Sequence, residues 1–185
     1  KLALLGFGNA GQAFAEMLLA KRGAIQEKYG YDILVTAIAT NTKGNLIDAD
    51  GIDLRQALAD VSACGKFAEP SGSTTMEIVK NADYDVLIEM TPLNIFTGQP
   101  AIDHIEAAFS RGKDVITANK GPIAWKFKAL DRMAKQHNCK FFYETTVMDG
   151  TPVFNLTEKN LQLAEVTEVS GILNSTTNFI LEELA

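Results

Sequence analysis

The chain has 185 residues, of which 46% are hydrophobic and 22% charged, so it can form one globular domain, or one domain and part of another. Its formal net charge of −6 argues against a nucleic-acid partner, because no run of basic residues offsets it. The two cysteines lack metal-ligand spacing and the two histidines do not complete a usual zinc site, which favours a reduced, cytoplasmic setting.

Short apolar runs predict strands that are buried on both faces of a sheet. They cover residues 2–5, 33–39, 86–88, 114–117 and 140–143. Apolar residues at helical spacing predict the helices between these strands, at residues 10–22, 54–58, 75–79, 101–109 and 123–136. Because helices alternate with short apolar strands, we expect an α/β domain built on a doubly wound parallel sheet.

The pattern changes after about residue 144. Thr151 and Pro152 can begin a short helix that runs through Thr157. Residues 161–173 then alternate between apolar and polar side chains, which predicts a long strand with one solvent-facing side, as in an antiparallel sheet. If its apolar side is left exposed, such a strand favours pairing or aggregation.

This change of pattern divides the chain into two domains. We predict the α/β domain over residues 1–147 and the beginning of an α+β domain over residues 148–185. Lys1 lies inside a strand pattern and Ala185 inside a helical pattern with no stop signal, so we expect that both ends are cut. No apolar run has the length of a membrane span and no signal peptide is recognisable, so we expect no membrane partner.

A glycine-rich turn joins the first predicted strand to the first helix. It reads Gly6-Phe7-Gly8-Asn9-Ala10-Gly11 and fits the pattern G-x-G-x-x-G. The first glycine permits a tight turn, the second lets the backbone approach a pyrophosphate, and the third lets the helix pack closely on the strand. Because the turn stands between a strand and a helix, we predict a Rossmann-type domain in which these six residues bind a dinucleotide.

The loop after the second strand bears on the choice of cofactor. An acidic residue there would bind the adenosine ribose of NAD, but this chain has Asn41, Thr42 and Lys43. Lys43 could pair with a 2′-phosphate, which slightly favours NADP over NAD. An exposed loop lysine without a ligand fits the sequence equally well.

The stretch Thr117-Ala118-Asn119-Lys120-Gly121-Pro122 places a lysine where an apolar strand ends and a helix can open. Ligands of open α/β sheets bind at the carboxyl ends of the strands. Lysine is rarely placed at the end of a buried strand without a specific task, although a lysine that snorkels to water is the simpler alternative. We therefore select Lys120 as a candidate catalytic residue.

With these residues the chain resembles the amino-terminal half of a homoserine dehydrogenase. The resemblance rests on five motifs in this order: G-x-G-x-x-G at 6–11, E-M-T-P-x-N at 89–94, V-I-T-A-N-K-G-P at 115–122, E-T-T-V-M-x-G-T-P at 144–152 and G-I-L-N-S-T-T-N-F-I-L at 171–181. It implies NAD(P)-linked interconversion of aspartate β-semialdehyde and homoserine, in the biosynthesis of threonine, methionine and isoleucine. It also implies a homodimer, formed through the catalytic and dimerisation domain that begins in the second part of the chain.

The resemblance further implies a role for particular residues. Lys120 matches the family's first catalytic lysine and a cofactor contact, and Thr91, Pro92 and Asn119 match positions on the nicotinamide side. The segment 144–151 matches a loop that holds a monovalent cation such as Na⁺ in some members, through residues that correspond to Glu144, Val147, Asp149 and Thr151. The substrate-side turn corresponds to Gly171, Asn174, Ser175 and Thr176.

The chain departs from the family pattern in three places. Ser175 stands where the family usually has glycine, which could alter the amino-acid pocket, and Asn41 replaces the usual acid. The family's acidic substrate-binding residues and its second catalytic lysine lie beyond residue 185. We therefore expect little or no dehydrogenase activity from the 185-residue chain by itself.

Several of these residues also have purely structural interpretations. Glu89 could contact a ligand or accept hydrogen bonds from neighbouring backbone N–H groups, and Glu144 could equally be a structural acceptor. Asn174 and Thr176 could cap the last helix instead of contacting substrate, and for Thr176 we favour capping over substrate contact.

Two other functions remain open. One is a related NAD(P)-dependent amino-acid or aldehyde dehydrogenase with an altered substrate, and the other is a noncatalytic nucleotide-sensing module. Phosphorylating semialdehyde dehydrogenases need a cysteine nucleophile, and neither Cys64 nor Cys139 follows a suitable small-residue turn.

Overall fold

Six strands form one sheet in the order β3-β2-β1-β4-β5-β6 in a computed structural model that describes residues 1–172 and 174–184. The strands are β1 (Leu2–Leu5), β2 (Val35–Ala39), β3 (Leu46–Ile47), β4 (Val86–Glu89), β5 (Asp114–Thr117) and β6 (Phe141–Phe142). All neighbouring pairs are parallel except β2 with β3. The predicted doubly wound parallel sheet of the Rossmann type is confirmed.

Helices lie between most of the strands along the chain, and further helices come after the last strand. They are α1 (Asn9–Tyr29), α2 (Leu54–Cys64), α3 (Thr75–Asn81), α4 (Ala101–Ser110), α5 (Lys120–Gln136), α6 (Val153–Asn155) and α7 (Ser175–Glu183). A 3₁₀ turn covers Glu144–Thr146, and a π-helical turn at Leu156–Asn160 continues α6.

Alternate side chains of each central strand enter two separate cores. Leu4 and Ile38 pack with Leu18 of α1 on one face of the sheet, in a core that α2 completes. Leu5 and Leu87 pack on the other face, in a core formed with α3, α4 and α5. Because each strand is buried on both sides, its sequence reads as a continuous apolar run.

The strand order places the ligand site. β1 pairs with β2 on one side and with β4 on the other, so the direction in which successive strands are added reverses between β1 and β4. In open α/β sheets ligands bind in the crevice at such a switch point, beyond the carboxyl ends of the strands. Here the crevice lies between the turn after β1 and the loop after β4.

Several predicted boundaries differ from those in the structure. α1 continues through Gly23 to Tyr29, where Gly30 ends it in the left-handed conformation with φ of 73°. α5 begins at Lys120 rather than at Ile123. β3, which lies in a stretch interpreted as a loop, is a two-residue antiparallel edge strand.

The predicted strand over residues 161–173 is wrong for the residues that the structure describes. Residues 161–172 form no strand, and Leu173 lies outside the described residues. Alternation decides which side chains share a face, but a strand also needs a neighbour to satisfy its backbone N–H and C=O groups. Within residues 1–172 and 174–184, the described strands are those of the single sheet, and none of them pairs with this segment. The same residues contain no helix with the length and apolarity needed to cross a bilayer.

Candidate active site

The turn between β1 and α1 is closely packed at two of its three glycines. A Cβ atom on Gly6 would lie 2.6 Å from the carbonyl oxygen of Met90, and a Cβ on Gly11 would lie 2.5 Å from the carbonyl oxygen of Gly6. Gly6 also has a φ of 103°, which glycine adopts readily. The turn can therefore pack against the end of β4 and against its own helix only because Gly6 and Gly11 have no side chains.

The middle glycine has open space above it. A Cβ atom on Gly8 would meet nothing within 4 Å, and no side chain caps the first turn of α1. Backbone N–H groups at a helix N-terminus attract an anion, and the helix dipole adds to that attraction. The turn of residues 6–11 therefore fits the pyrophosphate of a dinucleotide.

The loop after β2 is held by its own side chains. Thr40 donates its backbone N–H to Asn45 Oδ1 at 2.7 Å and accepts from the backbone N–H of Lys43 at 2.8 Å. Asn41 and Thr42 are exposed and Lys43 is half-buried. At the place where an acidic residue would meet the adenosine ribose, the loop thus presents polar side chains and one ammonium group.

A buried carboxylate joins the ends of β4 and β5. Glu89 is 0% exposed, and its side chain accepts hydrogen bonds from the backbone N–H and hydroxyl of Thr91 and, at 3.0 Å, from the hydroxyl of Thr117. Burial raises the pKa of Glu89 above its ordinary value, and these hydrogen bonds oppose that rise. All of its hydrogen-bonding capacity faces the protein, which favours the structural interpretation of Glu89 over direct ligand contact.

Asn119 links the same network to the start of α5. Its Oδ1 accepts from the N–H of Gly121 at 3.0 Å, which caps the helix, and its Nδ2 donates to the carbonyl of Thr91 at 3.1 Å. Its backbone N–H donates to the Thr117 hydroxyl at 3.1 Å. Lys120 follows as the first residue of the helix and is exposed. Lys120 is therefore attached to a rigid, buried hydrogen-bonded frame.

Lys120 lines a cavity of about 620 Å³ with two later segments of the chain. One wall comes from residues 146–149 and Thr151, and the other from Ile172 and residues 174–176. The predicted site residues on its surface are Lys120, Val147, Asp149, Thr151, Asn174, Ser175 and Thr176. The structure thus brings together candidates for the catalytic, cation and substrate sites that are far apart in sequence. Glu144 and Gly171 are not on the surface of this cavity.

The carboxylate of Glu144 is directed to α6. It accepts hydrogen bonds from the backbone N–H groups of Phe154 at 2.9 Å and Asn155 at 3.0 Å, and from Asn155 Nδ2 at 2.5 Å. Across the described parts of the chain, no three His, Cys, Asp or Glu side chains come together in a group that could hold a metal ion.

Asn174, not Thr176, caps α7. Its Oδ1 accepts a hydrogen bond from the backbone N–H of Thr177 at 2.8 Å. A separation of three residues between the capping side chain and the N–H group is usual for an N-cap. The prediction that Thr176 is the cap is wrong, because α7 begins at Ser175 and Thr176 already lies inside it. The Asn174 side chain is thus engaged with the helix at the edge of the cavity.

The sequence patterns did not single out Thr117 or Trp125. Thr117 is completely buried and belongs to the Glu89 network. The indole N–H of Trp125 donates to the carbonyl of Ile95 at 3.1 Å and so ties the loop after β4 to α5. A glutamate at the end of an apolar strand indicated that Glu89 takes part in polar contacts. Nothing in the sequence indicated that one of its partners is Thr117 on the next strand.

Comparison with known proteins agrees with this geometry. The model of the homoserine dehydrogenase NAD-binding domain matches residues 6–144, and that of homoserine dehydrogenase matches residues 152–185. The chain belongs to the homoserine dehydrogenase family. The resemblance drawn from its motifs is confirmed, and neither alternative function is favoured.

Two curated relatives match almost the whole chain. A homoserine dehydrogenase of Methanocaldococcus jannaschii is 36% identical over 99% of this chain and 55% of its own length. An NAD(+)-dependent homoserine dehydrogenase of Pseudomonas canavaninivorans is 32% identical over 98% of this chain and 53% of its own length. The chain therefore spans about half the length of the curated relatives it matches.

Solved structures of the family share the fold. A putative homoserine dehydrogenase from Archaeoglobus fulgidus is 35% identical and superposes with a TM-score of 0.85, covering 99% of this chain and 54% of its own. A hyperthermophilic archaeal homoserine dehydrogenase in complex with NADPH is 27% identical, with a TM-score of 0.73, and covers 87% of this chain and 49% of its own.

Proposed function

We propose that the protein interconverts L-homoserine and L-aspartate 4-semialdehyde with NAD(P), in the biosynthesis of the aspartate family of amino acids. The observation that carries this proposal is the cavity that Lys120 lines together with residues 146–149, Thr151, Ile172 and residues 174–176, in a sheet whose switch point suits a dinucleotide. Membership of the homoserine dehydrogenase family supports the reaction.

The chain's own residues perform three tasks in this proposal. The turn of residues 6–11 binds the pyrophosphate, and Thr91, Pro92 and Asn119 form the wall on the nicotinamide side. A bound nicotinamide supplies hydride chemistry. The ammonium of Lys120 stabilises negative charge on the substrate oxygen and exchanges a proton with it. We infer that Lys120 is the catalytic residue of this half of the site.

An assay of the full-length protein tests the reaction. We expect reduction of NADP⁺ or NAD⁺ that depends on homoserine and is followed by absorbance, together with oxidation of NADPH when the semialdehyde is supplied. Binding of NADPH without turnover of either substrate would support a nucleotide-sensing module instead. Turnover of another amino alcohol in preference to homoserine would support an altered substrate.

The proposed cofactor preference is a slight one for NADP. Asn41, Thr42 and Lys43 offer no carboxylate that would repel a 2′-phosphate, and Lys43 supplies a cation. The relatives described above include one named for NAD(+) and one in complex with NADPH. Titration of K43M with both reduced cofactors tests the preference, since only the affinity for NADPH should fall.

The proposed substrate residues are Gly171, Asn174, Ser175 and Thr176, and the proposed cation site is the loop that follows Glu144. Val147, Asp149 and Thr151 line the cavity, which supports their place in a site for a monovalent ion such as Na⁺. The Glu144 carboxylate also accepts hydrogen bonds from the backbone N–H groups of Phe154 and Asn155 in α6. The cation site is tested by comparing the dehydrogenase activity of the full-length protein in the presence of Na⁺ with its activity in the presence of a bulky organic cation.

The remaining proposals concern assembly and setting. We propose a boundary between domains at residues 147 and 148, a homodimer of the full-length protein, and a cytoplasmic location. Several apolar side chains after residue 160 are exposed, and exposed apolar surface of this kind supports the proposed homodimer interface. Sedimentation of the full-length protein tests the dimer.

A further inference from the structure

The buried Glu89 carboxylate has no direct place in the proposed chemistry. It stands at the carboxyl end of β4, beside the switch point, and it is completely inaccessible to solvent. A buried carboxylate costs the fold more free energy than a neutral side chain of the same shape, unless its hydrogen bonds compensate. Burial raises the pKa of Glu89 in spite of those hydrogen bonds. Stability alone therefore does not account for an acid at this position.

Its hydrogen bonds connect the two strand ends that carry the proposed site. Thr91, after β4, donates to one carboxylate oxygen through its N–H at 2.9 Å and through its hydroxyl. Thr117, at the end of β5, donates to the other oxygen at 3.0 Å. The Glu89 carboxylate thus connects the two strand ends, which the side chain of Asn119 also links through its contact with Thr91.

The network continues to Lys120 through a directional chain of hydrogen bonds. The Thr117 hydroxyl accepts the backbone N–H of Asn119 at 3.1 Å, so its own proton is directed to Glu89. Asn119 then caps α5 and contacts the Thr91 carbonyl. An acceptor at Glu89 therefore determines the orientation of the Thr117 hydroxyl and the position of the residue that precedes Lys120.

We propose that Glu89 is a positioning residue that, through Thr117 and Asn119, holds Lys120 at the distance from the nicotinamide that the reaction requires. The inference rests on the proposed function, because the distance matters for that reaction. Displacement of a catalytic group by about 1 Å can cost on the order of 100-fold in rate, so a network that fixes this distance affects kcat. The pyrophosphate is held elsewhere, at the turn of residues 6–11, so cofactor affinity depends little on Glu89.

Four variants of the full-length protein test this role. In E89Q the amide group donates to Thr117 where the carboxylate accepted, which reverses that hydrogen bond. T117V removes the hydroxyl, and T117S keeps it. T36V is the matched control, because Thr36 is a buried threonine of the same sheet whose hydroxyl donates to the carbonyl of Asp83 at 2.6 Å, away from the site.

We expect kcat to fall about 10- to 100-fold in E89Q and T117V, while the NADPH dissociation constant changes less than about threefold. T117S and T36V should keep wild-type kcat. In a second measurement, NADPH should protect Lys120 from acetylation by an amine-reactive ester, read by mass spectrometry, in the wild type, T117S and T36V. That protection should be lost in E89Q and T117V.

The two measurements separate this inference from the proposed function. If the wild type binds NADPH but does not turn over homoserine, the proposed function fails, and protection of Lys120 in the variants still decides the role of Glu89. Wild-type kcat and protection in both E89Q and T117V would overturn the inference. An equal loss of kcat in T36V would also overturn it, since the effect would then follow any buried hydroxyl of the sheet.

Discussion

The two parts of the chain that contribute to the cavity differ in how they are held. Residues 1–144 form a sheet with two buried cores, and Lys120 projects from a frame of buried hydrogen bonds. In residues 161–172 and 174–184 the apolar side chains are largely exposed: Leu163 is fully exposed, and Val169, Ile172, Phe179 and Leu184 are 62% to 78% exposed. The proposed cofactor half of the site is therefore built on the sheet, whereas the proposed substrate half has little apolar packing in the described residues.

The largest expected difference between the two parts is in stability. Leu87 is completely buried, so L87A should lower the free energy of unfolding of the 185-residue chain by about 2–5 kcal/mol. The same truncation at exposed Leu163 should change it by less than about 0.5 kcal/mol. Urea denaturation of both variants measures the difference, and equal effects would show that residues 161–184 pack as tightly as the sheet.

The next largest effect concerns Lys120 in the full-length protein. K120M should lower kcat by about 100- to 1,000-fold, because it removes the ammonium group that we propose stabilises charge on the substrate oxygen. Lys128, exposed on the same helix, is the matched control, and K128M should keep wild-type kcat. A K120M enzyme with normal kcat would remove Lys120 from the catalytic site.

Two glycines of α1 give opposite expectations. G11A should destabilise the sheet domain by about 1–3 kcal/mol and weaken cofactor binding, because its Cβ would lie 2.5 Å from a backbone oxygen. G23A should stabilise it by about 0.5–1 kcal/mol, since nothing lies within 4 Å and alanine favours a helix. Thermal denaturation decides the sign of each change.

Replacement of the N-cap of α7 tests the part of the chain after residue 160, which has little apolar packing. N174A should destabilise α7 by about 1 kcal/mol, because it removes the acceptor for the N–H of Thr177. T176A, inside the same helix, should have an effect below about 0.5 kcal/mol. Hydrogen exchange of the α7 amides measures both, and faster exchange in T176A than in N174A would restore Thr176 as the cap.

The smallest effect concerns the pH dependence of stability. Because the pKa of Glu89 is raised in the folded protein, its contribution to stability is fully present below its ordinary pKa and is lost as the pH rises through the folded pKa. The glutamine side chain in E89Q does not titrate, so it makes no such pH-dependent contribution. The stability of E89Q relative to the wild type should therefore be greater at pH 8 than at pH 4, as measured by chemical denaturation at both values. An opposite trend would mean that the folded protein favours the ionised carboxylate.

Much of the sheet domain could be predicted because its signals are local. An apolar run of four residues marks a doubly buried strand, and glycines at 6, 8 and 11 mark a tight turn between a strand and a helix. The interpretation of Lys120 also needed only the residues around it. The motif series added the family, because several short patterns in one order are far more specific than any one of them.

The incorrect predictions concern features that depend on a partner elsewhere in the chain. Residues 161–172 have the alternation of a strand, but the described chain places no neighbouring strand beside them. Asn174 and Thr176 are both good capping residues, and the choice depended on where α7 begins. The role of Glu89 stayed open because its partner Thr117 lies 28 residues away.

The sequence by itself determined the fold class, the dinucleotide turn and the candidate lysine, since each follows from the periodicity or steric needs of adjacent residues. Only the tertiary structure decided that Lys120 shares a cavity with residues 146–149, Thr151, Ile172 and residues 174–176. It also showed that the Glu89 carboxylate joins the ends of β4 and β5 through hydrogen bonds to Thr91 and Thr117. Both depend on contacts between distant segments, which form when the sheet brings the carboxyl ends of its strands to one edge.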